Sequence, residues 1–241
     1  MTGERAAFFR LAAWLSWIVA ALNIAAAWAA LLNTVIPGKV GNVLRAQIIA
    51  HEPWRWSPAF ILAAVAALLL LPVMLAAADL IEAHPLASRI GRAYGAAGAI
   101  IASVTQFLQA TISRKAALGM IAERFERGKQ PFLVLSTEWN LLFPFSTAYG
   151  MAMLAATFIA ALLACLGFSL IRENGLRRIL AAAALLAATA QFVGVVGYVA
   201  DHVQLNFGAD VCDLLMPVVL ILLGLVFRQE GRASVAPAQA G

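Results

Sequence analysis

The sequence predicts an all-α fold: a polytopic membrane helical bundle of six transmembrane helices, with one or two interfacial amphipathic helices. Three observations predict it. Hydrophobic residues make up 63% of the 241-residue chain and charged residues only 12%, against about 45–50% and about 25% in soluble domains. The apolar residues fall in runs long enough to cross roughly 30 Å of hydrocarbon. Between two of these runs, at residues 170–180, lies a short basic turn with Arg172, Asn174, Gly175, Arg177 and Arg178. Two spans joined by a tight loop have this pattern.

Glu4, Arg5 and Arg10 precede the first span, about residues 11–33. That run exceeds the roughly 7–15 residues of a signal-peptide core, so an uncleaved span is expected. Pro37-Gly38 breaks the helix. Val40, Val43, Leu44 and Ile48 then recur at helical spacing, with Lys39, Asn42 and Arg45 between them. A short helix lying in the interface is expected here. Trp54 and Trp56 flank Arg55, which suits the headgroup zone. Ser57 as N-cap and Pro58 at the first helical position are expected to start the second span, about 58–80. Asp79, Glu82 and His84 follow, and Pro85 stops it; Arg89, Arg92 or Arg177 is the expected partner of Asp79.

The third span, about 93–112, is the most polar. Ala102, Gln106, Gln109 and Ser113 form a stripe at i, i+4, i+7 and i+11, and Gly95 and Gly98 let this helix approach a neighbour closely. Residues 113–145 include a charged segment with Arg114, Lys115, Glu123, Arg124, Glu126, Arg127 and Lys129. Either the third helix runs on past the membrane or a second interfacial helix lies here. The fourth and fifth spans, about 146–171 and 179–200, flank the basic turn, with Asn174-Gly175 expected as a left-handed helix stop. Residues 201–209 contain no Lys or Arg, and Asp210 is expected to cap the sixth span, about 211–227, which contains Pro217. Residues 1–230 thus read as one transmembrane domain, and 231–241 as a disordered tail.

With the N-terminus inside, Lys and Arg divide nine inside against eight outside. The bare count does not orient the chain, but the short loops do. Those at 83–92 and 172–178 are basic, and 201–209 has no basic residue. Both termini are therefore placed in the cytoplasm and the spans in the inner (plasma) membrane. The net charge of +5 sits in inter-span loops. Membrane lipids, and a protein partner or second copy, are the expected partners; nucleic acid is not.

Across roughly residues 8–228 the layout resembles a large bacterial family of six-span membrane proteins catalogued as a domain of unknown function. The likeness rests on Ile36-Pro37-Gly38, Ala50-His51-Glu52, Ala148-Tyr149-Gly150, the Gly167 to Leu180 turn region and Gly197-Tyr198. It implies fold and topology, and no chemistry.

Two groups of residues are candidates for chemistry. On the outer face His51, His202, Asp201 and Glu138, with Glu52 and Asp210, offer metal-type ligands. No pair has helical i, i+4 ligand spacing and there is no H-E-x-x-H, so interfacial polar residues and helix caps explain them first. Within the spans, Gln106, Gln109, Gln191 and Asp213 could line a ligand or substrate path, with Asn23 as a further polar group. Interhelical hydrogen bonds of about 0.6 kcal/mol each would account for the amides. Asp213 is harder to explain, because a charge at the bilayer centre costs about 2.5–3.5 kcal/mol. It should face protein or water. Cys165 and Cys212 fall near opposite faces, about 20 Å or more apart, too far for a disulfide.

No nucleophile elbow, phosphate-binding loop, dinucleotide fingerprint or haem-type histidine pair is present, so no cofactor is expected. Three functions follow in order of support. The first is a non-enzymatic binding, accessory or scaffold component. The second is a small transporter using Asp213, Pro217 and the third-span stripe, although the two halves do not pattern as an inverted repeat. The third is an intramembrane enzyme built on the outer His/Asp/Glu group.

Overall fold

The computed structural model describes residues 2–34, 53–127, 145–200 and 203–233, and side-chain surroundings over 3–29, 58–110, 150–200 and 208–233. These residues form six helices: α1 (Thr2–Thr34), α2 (Pro53–Leu80), α3 (Pro85–Arg127), α4 (Phe145–Leu170), α5 (Leu176–Val199) and α6 (Val203–Ala233). Segments of five of them are long and apolar enough to cross a membrane: Gly3–Ala29, Pro58–Leu80, Gly150–Leu170, Leu176–Val199 and Gly208–Ala233. The expected interfacial helix between Pro37 and Ile48 lies outside the described residues. The backbone of α3 is continuous to Arg127. At a rise of about 1.5 Å per residue it is roughly 64 Å long, twice the hydrocarbon thickness.

Each helix packs on its neighbours in sequence, α6 returns to pack on α1, and α2 also touches α4. The pairs are antiparallel. Arg5 of α1 meets Asp79 and Glu82 at the far end of α2. Ser88 and Ser103 of α3 donate to the carbonyls of Ala78 and Ala64. Phe9 of α1 stacks on Phe227 of α6, ring centroids 5.8 Å apart. The result is a closed up-and-down ring in which the start of α1 and the end of α6 lie at one end.

Small residues set the seams. In hydrocarbon, lipid tails are as apolar as leucine, so helices associate by close van der Waals fit and hydrogen bonds. A Cβ at Gly98 would fall 2.8 Å from the Ala155 carbonyl oxygen and from Ile159 of α4. A Cβ at Gly194 would fall 2.5 Å from the Ala209 amide of α6. Gly224 sits under the Trp17 indole, where any side chain would overlap the ring. The Gly95 and Gly98 face is therefore a site of close approach, as the sequence suggests.

One end of the ring is packed with large side chains, including Met74, Ile81, Leu162, Leu166, Leu170, Leu180, Leu223 and Phe227, all fully or almost fully buried. The same end holds every arginine whose side chain is described: Arg5, Arg10, Arg89, Arg92, Arg172, Arg177, Arg178, Arg228 and Arg232. Arg92 holds Asp79 through Nη2 at 2.6 Å and Nε at 3.1 Å. It is thus Arg92, among the three expected candidates, that pairs with Asp79. Arg177 instead bridges Glu173 at 2.7 Å and Glu230 of α6. It ties the basic turn to the last helix.

Three expected boundaries differ. The second helix starts at Pro53, where proline loses no donor, so Pro58 lies inside the helix and Ser57 does not cap it. The stop of α4 comes at Leu170, closed by Ile171 N–H to the Gly167 carbonyl and Glu173 N–H to that of Leu170. Gly175 does take positive φ, at φ 66 and ψ −137, but as the N-cap of α5. A side chain would be strained there. Finally, α6 begins at Val203, so Asp210 lies two turns inside it and caps nothing.

Replacing Gly98 with valine should lower stability by about 1–3 kcal/mol, the usual effect of overpacking. Gly3→Val should change it little, since no atom lies within 4 Å of its Cβ position. Thermal unfolding of both variants in detergent checks the contrast.

Candidate functional site

Among the described residues, the ring is filled at the arginine end and hollow toward the other. The cause is in the inward side chains. Where the packed end has leucine, methionine and phenylalanine, the other half presents alanine. On α2, Ala59, Ala63, Ala66 and Ala67 recur at i, i+4, i+7 and i+8 and share one face. Ala102 of α3, Ala152 and Ala156 of α4 and Ala209 of α6 join them. Truncated side chains on several walls leave a cavity of about 930 Å³ to which all six helices contribute.

The polar residues of the wall are few and come from separate helices. Asn23 comes from α1, Thr105 and Gln106 from α3, Gln191 from α5, and Asp210 and Asp213 from α6. Asp210, Asp213, Leu214 and Pro217 follow at i, i+3, i+4 and i+7, so one stripe of α6 carries both carboxylates to the cavity. Trp28 and Phe60 add aromatic surface. Among the described residues bordering the cavity there is no Lys, Arg or His.

Hydrogen bonding sorts these groups. The Thr105 hydroxyl donates to the Ile101 carbonyl of its own helix at 2.7 Å, a common way to satisfy a hydroxyl in an apolar setting. Gln191 is 1% exposed. Its Nε2 donates to Met153 Sδ at 3.8 Å, and thioether sulfur is a weak acceptor. Its amide oxygen has no partner among the described residues.

The structure thus brings Gln106, Gln191 and Asp213 to a single cavity, together with Asn23. Gln109 is half-buried and lies outside the wall. Three residues along a helix rotate a side chain by about 300° and advance it about 4.5 Å, enough to leave the cavity edge. The side chain of Ser113 lies outside the described residues. So do His51, Glu52, Glu138, Asp201 and His202, the outer-face metal candidates. Among the described residues, no three His, Cys, Asp or Glu side chains gather at metal-binding distance. Cys165 and Cys212 are free thiols; Cys212 borders the cavity.

Sequence reading overlooked the alanine face of α2, Met153 and Thr105. The signal was present in the alanine spacing at 59, 63, 66 and 67, which stands out against the leucines at 68–71. Asp210 was noticed but given a capping role, because the start of α6 was placed too late.

The chain matches no protein-family model, no curated protein and no solved structure.

Leucine in place of Ala156, which faces the cavity, should leave stability within about 0.5 kcal/mol. The same change at fully buried Ala184 should cost about 1–3 kcal/mol through overpacking. Comparative melting of the two purified variants checks the contrast.

Proposed function

We propose that this chain is a six-crossing protein of the bacterial inner membrane, with both termini in the cytoplasm, that binds a small molecule without transforming it. The cavity carries the reading: a space of about 930 Å³ bounded by all six helices. It falls within the roughly 300–1,000 Å³ of typical ligand sites and has their mostly apolar wall with a few convergent polar groups. The six-span layout of the family named above agrees with this reading.

Support for α3 as a sixth crossing comes from its sides. It runs lengthwise between α2 and α4, from Ser88 beside Ala78 to Ser103 beside Ala64. Its outward side chains include Ile100, Val104, Phe107 and Leu108, all exposed. Its polar residues Ser103 and Thr105 are buried. Residues 93–112 contain no charge. A helix with apolar groups outside and polar groups inside is built for hydrocarbon. The short basic loops at 83–92 and 172–178 support a cytoplasmic placement of both termini.

Transport is a second reading, favoured by Pro217. Proline inside α6 removes one helical hydrogen bond and creates a point of bending one turn from Asp213. Both residues border the cavity.

Native mass spectrometry of the gently purified chain should show a stoichiometric small-molecule or lipid adduct, retained in the wild type and absent from an Ala156→Trp variant that fills the cavity. Identical adducts on both would overturn the binding reading. For topology, a single cysteine at position 175 should react only with cytoplasmic reagent. A cysteine at position 156 labelled from both sides of the membrane would favour transport over static binding.

A further inference from the structure

We infer that the cavity takes an amphipathic organic cation, its positive charge at Asp210 and Asp213 and its apolar body against the alanine wall. The inference rests on the binding reading above and adds the chemical class of the ligand.

The carboxylates are the starting point. At the arginine end Asp79, Glu82, Glu173 and Glu230 each meet an arginine. Asp210 and Asp213 have no salt-bridge partner among the described residues, and the wall between helices supplies no described cation. Side chains three apart on a helix lie about 5–6 Å from each other, so the two carboxylates, both exposed to the cavity, repel each other. A cation between them relieves both the repulsion and the missing partner.

One further acceptor points the same way. Gln191, 1% exposed, has an amide oxygen without a partner among the described residues. Unpaired buried acceptors are costly unless a ligand or water satisfies them. A carboxylate pair and an amide oxygen both present negative charge density to a cation, and neither favours an anion.

Size separates an organic ion from a metal. A hard divalent cation needs about six to eight oxygen ligands within about 2.6 Å, and the described wall does not gather three acidic, His or Cys groups. A cavity of about 930 Å³ with an alanine-rich, aromatic-edged wall suits instead a ligand with a sizeable apolar body. Trp28 also borders the cavity, and aromatic rings attract cations.

The test uses the full chain in detergent and two ions matched in shape and opposite in charge, tetraphenylphosphonium and tetraphenylborate, titrated by calorimetry. Tetraphenylphosphonium should bind saturably at one per chain, and tetraphenylborate at least roughly tenfold more weakly, as expected for a single charge contact. Asp213→Asn and Asp210→Asn should each weaken the phosphonium by roughly tenfold and leave the borate unweakened. If both ions bind alike, the cation inference is overturned and the cavity reading survives. If neither binds, both fall. The comparison on the unmodified chain keeps the test decisive even if an Asn variant fails to fold. Mass spectrometry of the same samples separates two sources of the charge. Displacement of a bound aminophospholipid by the phosphonium marks a lipid amine, and binding to adduct-free protein marks a water-borne cation; either supports the inference.

Discussion

Close backbone approach at small residues is the constraint on which the rest of the structure depends. Burying an apolar side chain gains little when the alternative is a lipid tail, so a bundle in hydrocarbon is held by contact and by polar pairing. In this protein the contact comes from Gly91, Gly95 and Gly98 against α4, Gly194 and Gly208 between α5 and α6, and Gly224 and Gly231 against α1. A ring drawn this tight leaves little room for large groups on its seams. What fills its centre then depends on inward residues alone. Leucines and phenylalanines close one end, and alanines leave the other hollow.

Polar groups follow a matching division. Ser16, Thr105 and Thr157 each donate to a carbonyl four residues back in their own helix, which satisfies them without a partner from elsewhere. Ser88 and Ser103 instead reach across to α2, so the most polar helix is fastened by hydroxyls on one side and glycines on the other. Ion pairs gather at the arginine end, where Arg5, Arg92 and Arg177 connect helix termini. Among the described residues, the acidic stripe of α6 stands apart from this network.

The sequence made the helical class and five apolar crossings legible, because run length and missing charge are strong signals that need no tertiary information. The close approach of α3 was legible in Gly95 and Gly98, and the placement of Asp213 against a cavity was legible from the cost of a charge in hydrocarbon. Boundaries were less so. Pro58 looked like a helix start because proline suits the first turn, but Pro53 offered the same chemistry five residues earlier. Asp210 looked like a cap because an apolar run broken by a single charge, Asp213, begins at Val211, whereas α6 begins at Val203 with a more polar first turn. The convergence of Gln106, Gln191 and Asp213 was hidden for another reason. Each lies on a different helix, and which helices are neighbours is decided by ring closure, a property that no local pattern contains.

Ring closure also imposes an order in time. Five of the six seams join helices adjacent in sequence and can form as soon as the second partner has left the ribosome. The seam of Phe9 with Phe227, and of Trp17 with Gly224, joins the two ends of the chain. At about 5–20 residues per second, α1 waits roughly 10–40 s for its last neighbour. During that interval the face of α1 that will receive Gly224 must be held by lipid or by another protein, and the hollow half of the bundle has one wall absent. Through that open side a membrane chaperone or a bilayer lipid has access to the interior before the ring closes.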